Sequence, residues 1–370
     1  MRYKGCLLAL VLFAVVEAEQ MRIRRASAKR LPSQEEADCP RGCRCERVTV
    51  TCLERGFKDA SVFEQLHALA FPHLDTIVVT GNRFGDIAFP IFGDSEMHEG
   101  VTLLNLTSSG VTKIGKETFQ ATPNLEYLYL DGNKISSVNS RPFEALEKLK
   151  GLHLKKALGD KSGNAKADLL SVLFDSKTRG FDELQEIDLS ENGLEKIHPD
   201  TFCKVAGLAR LILAGNKLTS FTAAPKCLQQ LKQLMLSGNA FTTVPKSMFD
   251  MLPNVNAFDI SKNPLVCDCE LMPFVEMARN NPTDYVNAGE TTCAAPSNYR
   301  DQHVFDFKGD LCEGRSFLPH FILLLVIAGA VFFVYRRFRD RIPVPPPFQF
   351  GYQNLNDAAT RQEQVKPEFV

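Results

Sequence analysis

The sequence predicts an α/β solenoid of about eight stacked repeats, closed at both ends by cysteine caps and followed by one transmembrane helix. Three observations predict it. An apolar pattern recurs with a period near two dozen residues, cysteines cluster on either side of the repeats, and an uncharged apolar run near the C-terminus precedes a group of arginines.

The repeat is the strongest signal. Leu184, Ile187, Leu189, Asn192 and Leu194 stand in the order LxxLxLxxNxL, and Leu208, Leu211, Leu213, Asn216 and Leu218 repeat it. Two further copies centre on Asn239 and Asn263, and earlier ones on Asn133 and Asn82. One copy carries Ser109 in place of the asparagine, and a degenerate one carries Ala157. The asparagine-equivalent positions 82, 109, 133, 157, 192, 216, 239 and 263 are separated by 27, 24, 24, 35, 24, 23 and 24 residues. That spacing belongs to a leucine-rich-repeat horseshoe. The LxL stretch forms a short strand of a parallel concave sheet, and its leucines stack on those of the next coil. The asparagine turns the chain out of the strand and satisfies backbone groups left unpaired there. A single coil cannot bury its own apolar face, so several must stack.

The repeats divide into blocks at 74–158 and 184–265, separated by an insertion at 159–183. The 35-residue gap exceeds the usual period by about eleven residues. Its start, Gly159 to Lys166, is polar; Leu169 to Phe174 follow. The insertion is expected to split the solenoid into two subdomains, either as a plain loop on the convex side or as a partner-binding loop or hinge.

A solenoid end exposes apolar interior and an open sheet edge unless it is covered. Cys39, Cys43, Cys45 and Cys52 lie in the N-terminal cap, residues 39–73, and Cys267, Cys269, Cys293 and Cys312 in the C-terminal cap, residues 266–312. The chain holds 11 cysteines, and Cys6 falls within the expected signal peptide, which leaves an even number. In an oxidising compartment these read as disulfides rather than as a metal site. Cys203 and Cys227 stand one repeat apart, on equivalent positions of adjacent coils. Strands about 4.8 Å apart bring such residues within disulfide reach, so a Cys203–Cys227 bridge is predicted.

The remaining segments concern the membrane. A charged start, an apolar run from Leu7 to Val16 and a small residue at Ala18 describe a signal peptide over 1–18. A basic, disordered leader occupies 19–38; within it, Arg22 to Arg25 reads either as a proprotein-cleavage site or simply as part of that leader. The run 317–335 carries no charge and suits a membrane helix, and Arg336, Arg337, Arg339 and Arg341 after it keep the C-terminus inside. The predicted topology is therefore single-pass type I at the plasma membrane. The cytoplasmic tail, 336–370, contains Pro343 to Pro347 and a Tyr352-Gln-Asn-Leu355 endocytic-type pattern. It ends in Glu368, Phe369 and Val370, a candidate PDZ ligand captured by strand addition.

The formal net charge of −1 gives no reason to expect nucleic-acid binding. The seven histidines are scattered, and no nucleophile elbow, phosphate loop or HExxH motif occurs, so neither catalysis, a cofactor nor a metal is expected. A protein partner is the alternative, and the concave face is the first place to seek it. Its outward residues are Tyr127, Tyr129, Asp131, His153, Lys155, Glu186, Asp188, Arg210, Ile212, Gln233, Met235 and Asp259. Aromatic residues and arginine favour an interface, whereas mixed polarity also suits a solvated surface. Asn105, in the sequon Asn105-Leu-Thr107, is a glycosylation candidate on the same face, where a glycan would obstruct part of it.

The order of parts is more specific than the repeat. Cap, repeats, hydrophilic break, repeats, cap, helix and short tail together resemble the trophoblast glycoprotein family, as do the segments Leu104-Asn-Leu-Thr107 and Asn263-Pro-Leu-Val-Cys-Asp-Cys269. The resemblance covers about residues 39–335. It implies the cap pairings Cys39–Cys45, Cys43–Cys52, Cys267–Cys293 and Cys269–Cys312. It further implies restraint of Wnt/β-catenin signalling through the Wnt co-receptor at the plasma membrane. The alternative is an adhesion or synapse-organising protein that binds a partner in trans. The short Cys45–Cys52 loop, the single sequon and the tail depart from the family pattern.

Overall fold

The structure is a computed structural model that describes residues 39–139, 141–175, 181–280, 283–307, 311–312 and 318–338. The predicted signal peptide, the basic leader with Arg22 to Arg25, the tail beyond Phe338 and the terminal Glu368, Phe369 and Val370 lie outside the described residues. The chain divides into two units, one ending at Cys312 and the other beginning at Glu313.

The first unit is a leucine-rich-repeat solenoid built on an 11-stranded sheet. In chain order its strands are β1 (Arg44–Glu46), β2 (Thr49–Leu53), β3 (Thr76–Thr80), β4 (Leu103–Asn105), β5 (Tyr127–Tyr129) and β6 (Gly151–His153). They continue with β7 (Glu186–Asp188), β8 (Arg210–Ile212), β9 (Gln233–Met235), β10 (Ala257–Asp259) and β11 (Asp284–Tyr285). Strands β3 to β10 are the eight repeat strands, and all neighbours from β2 to β11 pair in parallel. The register stacks one inward side chain on the next: Val50, Ile77, Leu104, Leu128, Leu152, Ile187, Leu211, Leu234, Phe258 and Tyr285. Each of the leucines in this spine is 0% exposed, a burial that contributes about 2 kcal/mol per side chain.

The asparagines lock each coil to the one before it. Asn216 Oδ1 accepts the N–H groups of Asn192 and Leu194, while its Nδ2 donates to the carbonyls of Leu189 and Leu213. Asn133, Asn239 and Asn263 repeat the arrangement. The two degenerate repeats keep one of these bonds by a backbone route. Phe84 N–H donates to the carbonyl of Ser109 and Ile135 N–H to that of Ala157, where an asparagine oxygen would otherwise accept. Ser109 Oγ also donates to Val79 O at 2.8 Å, which replaces part of the missing amide.

The insertion differs from expectation. Helix α1 (Gly163–Leu173) occupies most of it and buries Ala167, Leu170 and Leu173. It lies against the Ser137–Val138 strand, and Phe174 after it packs on Phe202 with ring centroids 5.2 Å apart. Strands β6 and β7 pair in register across it, Gly151 with Glu186 and His153 with Asp188. The expected division into two subdomains is therefore corrected: the extra residues fold into a packed helix, and the sheet runs through unbroken. Asn192 spans the junction. Its Oδ1 accepts the N–H groups of Ala157 and Leu158, and its Nδ2 donates to Leu154 O.

Each end is closed. The antiparallel β1–β2 hairpin covers the first coil, with disulfides Cys39–Cys45 and Cys43–Cys52. At the other end, helix α2 (Met272–Asn280) and β11 cover the last coil, tied by Cys267–Cys293 and Cys269–Cys312. Phe249, Phe258, Phe274, Tyr285 and Phe305 form a continuous aromatic layer beneath them. Cys203 and Cys227 are bridged between adjacent coils, their Cα atoms 4.6 Å apart.

The second unit is described over one helix, α3 (Leu318–Phe338). Its residues 322–337 are all exposed, including the apolar run Ile322 to Ile327. Among the described residues no helix is long and apolar enough to cross a membrane. The side chains of α3 are described over 322–337 alone, which covers only part of the expected 317–335 span.

Candidate binding face on the concave sheet

The parallel register orders the outward side chains of the concave sheet into rows. One row reads Leu103, Tyr127, Gly151, Glu186, Arg210, Gln233 and Ala257. The next reads Asn105, Tyr129, His153, Asp188, Ile212, Met235 and Asp259. Along a row, neighbouring side chains are about 4.8 Å apart, close enough to touch.

The aromatic residues gather at β5 and β6. The rings of Tyr129 and His153 stack at 4.3 Å and 13°. Tyr127 is 39% exposed. Its ring lies over Gly151, where a Cβ would stand 2.9 Å from Tyr127 Cδ1. The glycine therefore provides the space that the tyrosine occupies.

The charged residues are largely engaged within the sheet. Asp131 accepts the Lys155 N–H at 2.7 Å, and burial pushes its carboxyl above the usual carboxylate range against that bond and the nearby His153. The Lys155 ammonium pairs with Glu191 at 2.9 Å, and the Glu191 carboxylate holds the lysine above its ordinary value. Asp188 accepts both the N–H and the hydroxyl of Ser190. Arg210 has no ion pair among the described residues, and its Nε is buried without a hydrogen-bond partner. It stands beside Glu186 and Gln233, with Ile212 and Met235 in the adjoining row.

Two placements depart from the sequence reading. Asp259 is only 4% exposed: its Oδ1 accepts Ser261 N–H, and its Oδ2 accepts the side chain of Asn287, which the C-terminal cap lays over it. It is therefore not part of an open binding face. Gly151 also belongs to the outward row, and its position opposite Tyr127 follows from the 24-residue spacing although the residue has no side chain to point outward. Among the described residues no group of His, Cys, Asp and Glu is arranged to hold a metal ion.

A parallel concave sheet, asparagine-locked coils and disulfide caps define a leucine-rich-repeat protein of the extracellular, receptor-like kind. The leucine rich repeat family model matches residues 99–156 and 167–218. The chain is similar to trophoblast glycoprotein of Macaca fascicularis, 23% identical over 326 residues, which is 82% of this chain and 74% of that protein. The Mus musculus protein of the same name is 23% identical over 324 residues, 80% of this chain and 74% of that one. The fold is also that of the crystal structure of human 5T4 (Wnt-activated inhibitory factor 1, trophoblast glycoprotein), with a TM-score of 0.63 and 20% identity over 73% of this chain and 97% of that one. These comparisons bear out the resemblance to the trophoblast glycoprotein family.

Proposed function

We propose that this chain is a single-pass type I plasma-membrane protein whose extracellular concave face binds another membrane protein and restrains Wnt/β-catenin signalling. The observation that carries the binding role is Arg210, its Nε buried without a hydrogen-bond partner among the described residues, beside Ile212 and Met235 on a rigid sheet. Aromatic and arginine side chains held on a preformed surface are favoured anchors at protein interfaces. The reading of binding rather than catalysis is supported by the repeat class itself. The membrane placement rests on the uncharged run 317–335 and the arginines that follow it. The Wnt assignment rests on the resemblance to the trophoblast glycoprotein family, whose human member is also named Wnt-activated inhibitory factor 1. The Wnt co-receptor is the proposed partner, and Glu368, Phe369 and Val370 the proposed ligand of a PDZ protein. A pulldown lost on deleting Val370 tests the latter.

Expression of the full chain in one population of Wnt-stimulated cells tests the main proposal. A cell-autonomous fall in a β-catenin reporter supports it. Aggregation with a second cell line, without a change in the reporter, supports instead an adhesion protein that binds in trans.

A further inference from the structure

We infer that an N-linked glycan on Asn105 lies across the N-terminal half of the concave face and packs on Tyr127, so that the protein covers this part of its own sheet. Asn105 is the last residue of β4, with its neighbours Leu104 and Leu106 buried in the spine. Its side chain therefore leaves on the concave side. Its Oδ1 is held by Thr107 N–H at 2.9 Å, which fixes the plane of the amide. Among the described residues its Nδ2, the atom that carries the sugar, has no hydrogen-bond partner.

The surroundings suit a saccharide. Asn105 is in register with Tyr129, and Tyr129 with His153, so the sequon stands at the head of the stacked pair. Tyr127 is two residues before Tyr129 on the same strand, points to the same side and exposes its ring. Sugar C–H bonds are weakly positive, and an aromatic face is weakly negative. A glycan rooted one strand away needs only to lie along the sheet to meet that ring. It would cover β3 to β5 and leave β7 to β10, with Arg210, Ile212 and Met235, open to a protein.

Hydroxyl-radical footprinting of the full chain, expressed in cultured animal cells and read by residue-resolved mass spectrometry, tests this. Thr107→Ala removes the sequon yet keeps the backbone N–H that holds Asn105, and Asn105→Gln removes it independently. The expected result is an occupied Asn105 in the natural chain, with Tyr127 oxidation rising severalfold in both variants. Met235, five strands away from β4, is the internal reference and stays unchanged. An unoccupied Asn105 overturns the inference, as does equal Tyr127 oxidation with and without the glycan. Either outcome is independent of whether Wnt signalling responds to the protein.

Discussion

Tyr127 lies with its ring over the backbone of Gly151, the residue directly beside it on the next strand. A Cβ at position 151 would stand 2.9 Å from Cδ1 and 3.2 Å from Cε1 of that ring. Gly151→Ala should therefore lift the tyrosine away while leaving the spine intact. The chain has no tryptophan, so no indole band masks the tyrosine signal in its near-ultraviolet circular dichroism. The expected outcome is a changed near-ultraviolet spectrum with a stability change within about 1 kcal/mol, since the ring can swing outward. An unchanged spectrum would mean that the contact does not exist in solution.

Asn192 joins the coils on either side of the insertion through three bonds, to Ala157 N–H, Leu158 N–H and Leu154 O. Asn192→Ala leaves several of these buried groups unsatisfied, each costing about 1–3 kcal/mol. A loss of at least about 3 kcal/mol is expected in urea unfolding. Asn82→Ala, at the first repeat, should cost less, because among the described residues the Asn82 side chain bonds to Phe57 N–H and Thr80 O alone. Equal losses would contradict the bridging role.

The Cys203–Cys227 bridge closes a loop of 24 residues between adjacent coils. Replacing both cysteines by serine should lower stability by about 3 kcal/mol without changing the fold. Peptide mapping without reductant checks the pairing directly; two alkylated thiols would refute it.

His98 gives the N-terminal half a pH response. Its ring is buried against Phe92 at 4.6 Å, and burial holds the imidazole below its ordinary value of 6.5. Glu96, 4.0 Å from Nε2, opposes this, and His67, bonded to the same carboxylate, adds slightly to it. Because the folded state prefers the neutral ring, the contribution is complete above 6.5 and is lost as pH falls toward the lowered folded value. Glu96, held below its ordinary 4.5 chiefly by Ala68 N–H and His67, adds a second loss at lower pH. The thermal midpoint should fall between pH 7 and pH 5.5, and His98→Gln should flatten that slope. Identical slopes in the two proteins would exclude His98 as the cause.

Much of this was legible in the sequence, because a solenoid converts spacing into position. Adding the repeat period to Asn105 gives Tyr129 and then His153, and the observed register places these three residues side by side. The insertion was harder to read. Gly159, Asp160, Lys161, Ser162 and Gly163 look like a loop, and the helical spacing of Ala167, Leu170 and Phe174 begins only after them. The cover over Asp259 was not legible at all: Asn287 reaches it from the cap, outside the repeating pattern. The backbone carbonyls that stand in for asparagine at Ser109 and Ala157 were equally hidden, because backbone groups leave no trace in residue identity.

The central claim is that the concave face is the working surface of the protein. A β-catenin reporter in Wnt-stimulated cells, comparing the natural chain with an Arg210→Glu, Met235→Ala variant matched for surface level, tests it most directly. The account predicts that the natural chain lowers the reporter and that the variant does not. Equal lowering by both proteins, or no effect from the natural chain, would contradict it.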